Sequence, residues 1–257
     1  MPQFCKVERE GRLTIVTVNR PEVMNAVHPP ASSELAEQWD AFEADPEQWV
    51  AILTGAGDKA FSAGNDLKYQ AAGNKMWQVP SGFGGITNRY QMAKPVIAAV
   101  NGLAMGGGFE MALACDVIIA AENAFFALPE PRVGLAALAG GLHRLSRQIP
   151  LKHAMGMILT GRRVPAAEAY RLGIATEVVP AGQALAAARK WAAQVLECSP
   201  MSIRASKDVV LRGMDLPNLE QAIRMPFASV KAMRDSEDFI EGPKAFAEKR
   251  KPNWKGR

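Results

Sequence analysis

The stretch Asn101-Gly102-Leu103-Ala104-Met105-Gly106-Gly107-Gly108-Phe109-Glu110 decides how this chain is read, together with the apolar run Pro95-Val96-Ile97-Ala98-Ala99-Val100 that feeds it. The run is short, rich in branched residues and bounded by turn formers, so it reads as a buried strand. Three glycines follow, then an apolar helical stretch from Phe109 to Cys115. Glycines there let a ligand approach bare backbone, and a helix start leaves N–H groups without partners. Such a place suits a phosphate or an oxyanion that forms during a reaction. Two plainer accounts stay open: the glycines permit tight helix–strand packing, and Glu110 in a first turn complements the helix dipole.

Upstream, Phe4–Arg9 and Arg12–Val18 read as two short strands joined at Gly11, and Ala31–Ala44 as a helix with Leu35, Trp39 and Phe42 on one face. Val50–Leu53 reads as a buried strand. The loop Ala60-Phe61-Ser62-Ala63-Gly64-Asn65-Asp66-Leu67-Lys68 then leads into a helix. A strand, a glycine-containing loop and a helix start thus occur twice, so two such loops could converge on one ligand. Gly73–Gly85 carries Met76, Trp77, Val79 and Phe83, too apolar for an exposed loop, and packs as a lid or lines an apolar pocket. Gly82–Met92 is taken as helical.

Downstream, Val117–Ala121 and Ala124–Ala127 read as strands. Leu128-Pro129-Glu130-Pro131-Arg132-Val133-Gly134 reads as a loop, in which Pro131 biases Glu130 toward an extended backbone. On the residues alone, Glu130 is an exposed loop carboxylate. Ala139-Gly140-Gly141 opens a helix to Arg147, and from Leu151 the pattern is almost wholly helical, including one helix over Leu219–Met233 and a last one over Ser236–Lys249. No internal repeat is visible in the residues, but the pattern shifts near residue 150 from strands with helices to helices only.

Composition narrows the chemistry. The 257 residues suffice for one large core or two small ones. A net charge of +4 suits an anionic ligand and is too weak to argue for nucleic acid. Cys5, Cys115 and Cys198 form no C-x-x-C pair, and no apolar stretch approaches a membrane span, so a reducing cytoplasm is the expected compartment. His28, His143 and His153 lack the spacing of a helical metal pair and read as surface or satisfied histidines. No G-x-S-x-G elbow or P-loop is present. A dinucleotide fingerprint fails because its third glycine position falls on the bulky Met111.

Taken together, the motifs resemble the crotonase, or enoyl-CoA hydratase/isomerase, superfamily. The resemblance is carried by Ala60–Leu67, by Lys94–Gly102, by Gly106–Glu110 with Ala114-Cys115-Asp116, by Leu128-Pro129-Glu130, by Leu159-Thr160-Gly161, and by Ser236-Glu237-Asp238, Glu241-Gly242, Phe246 and Lys249-Arg250 in the tail. It implies an α/β fold: a spiral of ββα units over residues 1–195 holding an acyl-CoA site, and a helical C-terminal region over 196–257 used in trimerisation. Such trimers often pair into hexamers. It implies an acyl-CoA thioester substrate and no metal or redox cofactor, the coenzyme A being part of the substrate.

The resemblance also assigns roles. The backbone N–H groups of Asn65 and Gly107 form an oxyanion hole on the thioester carbonyl. Glu110 activates water and Glu130 delivers a proton, and their separation of 20 residues is that of the hydratases. Lys68, with Ala63, Asp66 and Leu67, lies near the coenzyme A, which Phe246 and Lys249 of the tail also reach. Trp77 and Phe83 hint at a bulky or aromatic acyl group. Where hydratases commonly have a Pro-Gly turn after the second glutamate, this chain has Gly134–Gly141, which alters the expected acyl pocket. The expected activity is hydration of a 2-enoyl-CoA. Its rivals are isomerisation, dehydration of a polar acyl-CoA such as a carnitinyl thioester, and a non-enzymatic RNA-binding protein, for which no lysine-rich helix is present.

Overall fold

The computed structural model describes residues 2–257. Strands β1 (Cys5–Glu10) and β2 (Leu13–Val18) form a hairpin, followed by α1 (Pro29–Ala44). Then come β3 (Val50–Gly55), β4 (Ala60–Ser62) and α2 (Leu67–Ala71), and next β5 (Val96–Val100), β6 (Leu103–Met105) and α3 (Gly107–Leu113). β7 (Val117–Ala121) and β8 (Phe125–Ala127) are followed by one 3-10 turn, Glu130–Val133. The remainder is α4 (Gly141–Gln148), α5 (Leu151–Thr160), β9 (Val164–Pro165), α6 (Ala166–Leu172), β10 (Glu177–Val179), α7 (Ala184–Leu196), α8 (Pro200–Gly213), α9 (Leu219–Arg224), α10 (Ala228–Arg234) and α11 (Glu237–Ala247).

The strands divide between two sheets. The larger has six strands in the order β1-β2-β3-β5-β7-β10, antiparallel only at β1–β2, and the smaller has four in the order β4-β6-β8-β9. Each repeat therefore sends its first strand to the large sheet and its second to the small one: β3 then β4, β5 then β6, β7 then β8. This is the ββα spiral that the resemblance implied. The repetition is absent from residue identities because it lies in strand length and connection, which many side chains satisfy.

The large sheet is covered on both faces, which explains its nearly unbroken apolar strands. Val50, Ile52, Ile97, Ala99 and Ile119 face α7, whose Ala184, Ala187, Ala188 and Ala192 allow a close approach. Ala51, Leu53, Ala98 and Val100 face the other way, toward Trp39 and Phe42 of α1 and toward Phe109 of α3 and Phe126 of β8.

Several expectations need correction. Gly82–Met92 is not a helix: only Phe83–Gly85 makes a 3-10 turn, because Gly82, Gly84 and Gly85 hold φ of +81°, +59° and +67°. The helix expected over Leu219–Met233 is two, α9 and α10. Pro226 follows Met225, which is driven extended (φ −62°, ψ 125°). Glu130 does not extend either. It opens the 3-10 turn, where Pro131 is tolerated because an N–H at that position has no helical partner anyway.

Candidate active site

The three parallel strands of the small sheet, β4, β6 and β8, end along one edge, and each delivers its following loop there. From β4 comes Ala63-Gly64-Asn65, from β6 comes Gly106-Gly107, and from β8 comes Leu128-Pro129-Glu130. Ligands of parallel sheets collect at such carboxyl ends. The Gly106 N–H donates to the Ala127 carbonyl at 2.9 Å, tying the second loop to the third. Gly64 (φ +84°) presses on the first turn of α3, where a Cβ would stand 2.5 Å from the Met105 carbonyl oxygen and 2.7 Å from the Gly107 nitrogen. The two glycine loops are thus in van der Waals contact, and only glycine fits.

That contact leaves two donors side by side. Around Asn65, the Val27 N–H donates to the Gly64 carbonyl and the Asp66 N–H to the Val27 carbonyl, and the Asn65 N–H has no acceptor among the described residues. The Gly107 N–H, at the first position of α3, has none either among the described residues. Both residues line a cavity of about 530 Å³, along with Glu110, Glu130, Trp77 and Phe83. The Phe83 ring lies against Gly107: a Cβ there would fall 2.5 Å from its Cε1.

Glu110 is 3% exposed on α3, and its Oε1 accepts from the Gly141 N–H at 2.8 Å. Burial pushes its carboxyl up to about 7. The Gly141 N–H opposes the rise, and the negative charge of Glu130 adds to it. Glu130 is raised too, chiefly by burial. Glu130 lines the cavity, and its Oε2 is buried without a hydrogen-bond partner among the described residues. Two carboxyls raised above their ordinary range, lining one cavity with two N–H groups that lack acceptors, can take a proton at one point of a small molecule and return one at another.

Residues 8–257 match the model of the family described as enoyl-CoA hydratase/isomerase. The chain belongs to that family. A carnitinyl-CoA dehydratase of Escherichia coli strain K12 is 43% identical over 263 residues, with 100% of both chains covered. An enoyl-CoA hydratase from Mycobacterium tuberculosis H37Rv has a similar crystal structure, at a TM-score of 0.92 and 38% identity over 100% of both chains. A carnitinyl-CoA hydratase from Mycobacterium avium superposes at a TM-score of 0.79 and 41% identity, again over 100% of both. The motif-based resemblance is borne out, and membership of the enoyl-CoA hydratase/isomerase family makes the substrate an acyl-CoA thioester.

Not every residue expected at the site of this hydratase/isomerase fold meets the cavity. Ala63 donates its N–H to the Met24 carbonyl. Asp66 is buried, caps α2 through the Tyr69 N–H and pairs with Arg20 at 2.9 Å, so its carboxylate is engaged by the protein. Leu67 and Lys68 are exposed on α2 outside the cavity lining. Phe246, 87% exposed on α11, and Lys249, beyond its end, also lie outside that lining.

Other cavity residues escaped the sequence. His28 caps α1 by accepting the Ala31 N–H at Nδ1 and also lines the cavity, with Ser32 one turn on. Burial, helped by Arg20, lowers its affinity for a proton. The departure after Glu130 did give a signal: Leu135, Ala136, Leu138 and Ala139 form one wall. No helix of the described residues is long and apolar enough to cross a membrane.

Proposed function

We propose that the chain adds water reversibly across the 2,3 double bond of a 2-enoyl-CoA thioester. The observation that carries this is the meeting of Glu110 and Glu130 in one cavity with the unpartnered N–H groups of Asn65 and Gly107. The thioester oxygen accepts from both N–H groups, which are aimed before charge develops. Losing one such donor typically costs about 10²–10³ in rate. Ionised Glu110 takes a proton from water as its oxygen bonds to C3. The electron pair of the double bond moves onto the thioester as an enolate. Glu130 then gives its proton to C2. Water has been added, one proton has passed from Glu130 to Glu110, and its return resets the pair. Because the two carboxyls interact, they titrate as a pair.

A second substrate deserves a parallel trial. Two of the relatives are a carnitinyl-CoA dehydratase and a carnitinyl-CoA hydratase, and the cavity wall combines the Trp77 ring with the polar Ser32, His28 and Gln78. A quaternary ammonium is attracted to an indole face. Dehydration of such a 3-hydroxyacyl thioester is the same chemistry reversed, with Glu110 protonating the departing hydroxyl.

The rest of the reading follows. Lys68, Phe246 and Lys249 meet the coenzyme A from outside the cavity, in part across subunits of a trimer or dimer of trimers. Exposed Phe239, Ile240 and Phe246 of α11 supply apolar surface for that assembly. The three cysteines are free thiols, in keeping with a reducing cytoplasm. The chemistry draws on no metal or redox cofactor.

The test follows the conjugated-thioester absorbance with crotonyl-CoA and, in parallel, its appearance from carnitinyl-CoA. Glu110→Gln and Glu130→Gln accompany the parent. Turnover of either substrate that each substitution lowers by about 10²-fold or more supports the proposal. Parent-like turnover in either variant overturns the two-carboxyl mechanism.

A further inference from the structure

Arg144 stands on the first turns of α4, the helix whose leading N–H, on Gly141, holds Glu110. Its guanidinium folds back over Gly140, where a methyl group would collide with Nη1. Its Nη2 donates to the Thr87 carbonyl at 2.6 Å. Thr87 is fully buried, and its Oγ1 in turn accepts the Phe83 N–H at 2.8 Å. Phe83 is the ring that lies against Gly107. One side chain therefore joins the turn behind the candidate base to the segment behind the oxyanion hole.

The charge of this group is as telling as its reach. Arg144 makes no ion pair among the described residues, although it is only partly exposed and burial disfavours its charged form. The Tyr90 ring centroid lies 5.8 Å from its Cζ. The groups that bear on its charge are Tyr90, Cys115 and Glu110, and those that bear on Glu110 are Glu130 from the 3-10 turn and Arg144 from α4. A guanidinium left without a carboxylate partner is uncommon, since a charge in such a place is ordinarily paired. The geometric link to Glu110 is the turn that Arg144 covers: Gly140 lies under the guanidinium, and the next N–H, on Gly141, holds the carboxyl.

We infer that Arg144 is a positioning residue for the reaction: it clamps the Gly140–Gly141 turn to the Phe83 segment and presents its charge to Glu110 from behind. This rests on Glu110 being the base proposed above, but its test needs no turnover.

The test titrates the Glu110 carboxyl by carbon-13 NMR of glutamate-labelled protein without substrate, the signal being assigned by its loss in Glu110→Gln. Arg144→Gln keeps a donor for the Thr87 carbonyl and Arg144→Met does not; one folded neutral variant suffices. Arg144→Lys restores a cation, and Arg147→Gln, an exposed neighbour on α4, is the control. The expected result is a Glu110 midpoint raised by about half a pH unit or more in the neutral variants, largely restored in Arg144→Lys and unmoved in Arg147→Gln. An unmoved midpoint in a folded neutral variant overturns the inference, even where turnover falls. So does an equal shift in Arg147→Gln. Absence of hydratase activity in the parent would sink the proposed function and leave this titration standing.

Discussion

Glu130 rests on Gly106: a Cβ on that glycine would stand 2.8 Å from Oε1 of the carboxyl. Gly106 also holds φ +53°, a conformation that L side chains rarely adopt. The residue is therefore fixed twice, by its own backbone and by the acid above it. Gly106→Ala is expected to lower kcat by displacing Glu130, with KM for the thioester little changed. Gly173→Ala, at a left-handed glycine (φ +84°, ψ 15°) with nothing within 4 Å, shows what a Cβ at positive φ costs where it meets no neighbour. It should cost about 1–2 kcal/mol of stability and leave turnover intact. Equal turnover in the two variants would show that the contact with Glu130 is immaterial.

The raised carboxyl of Glu110 has opposite consequences for rate and for stability. As a base it must be ionised, so kcat/KM should fall as pH drops below about 7. For folding, the sign reverses. A group raised from 4.5 to about 7 stabilises the fold below pH 4.5, and this contribution is lost as pH rises through 7. Glu110→Gln should therefore be more stable than the parent at pH 8, by up to about 3 kcal/mol. The gap should close toward pH 4. Urea unfolding at the two pH values measures it, and a gap that does not narrow at low pH contradicts the assignment.

Glu34 shows the contrary case far from the cavity. It accepts the N–H groups of Gln3, Phe4 and Cys5 at 2.6, 2.6 and 2.7 Å, fastening the start of β1 to α1. Burial pushes its carboxyl up, but these bonds outweigh burial and hold it below the usual range. Glu34→Gln should lose about 2 kcal/mol at pH 7, a typical figure for hydrogen bonds to a charged group. The group contributes fully above pH 4.5 and loses that contribution as pH falls through its lowered value, so the difference from the parent should shrink below pH 4. Denaturant midpoints across that range check both parts.

What could be seen in the sequence was local. Val96–Val100 announced a buried strand by composition, and Gly106-Gly107-Gly108 announced bare backbone, because both properties belong to neighbouring residues. The contact between Gly141 and Glu110 spans 31 positions, and nothing in either neighbourhood points to the other. The same holds for His28, whose capping role hides its place on the cavity wall. The glycines of Gly82–Met92 misled in another way. Their apolar neighbours fit a helical face, but left-handed backbone at Gly82, Gly84 and Gly85 bends the segment so that Phe83 meets Gly107 and Gly84 meets Met111. Family motifs supplied what periodicity lacked, above all the expectation that Glu130 belongs to the site; its flanking prolines made it look like surface, and it lines the cavity.

The loops of β4 and β6 leave two amide hydrogens without acceptors among the described residues, beside strands whose amides are paired. In deuterated buffer those two, Asn65 and Gly107, should exchange ahead of the bonded amides around them, as gaps in an otherwise slow pattern. A thioester carbonyl seated between them should slow both together. The protein thus carries its own label for occupancy, readable by mass spectrometry or NMR with a substrate that never turns over.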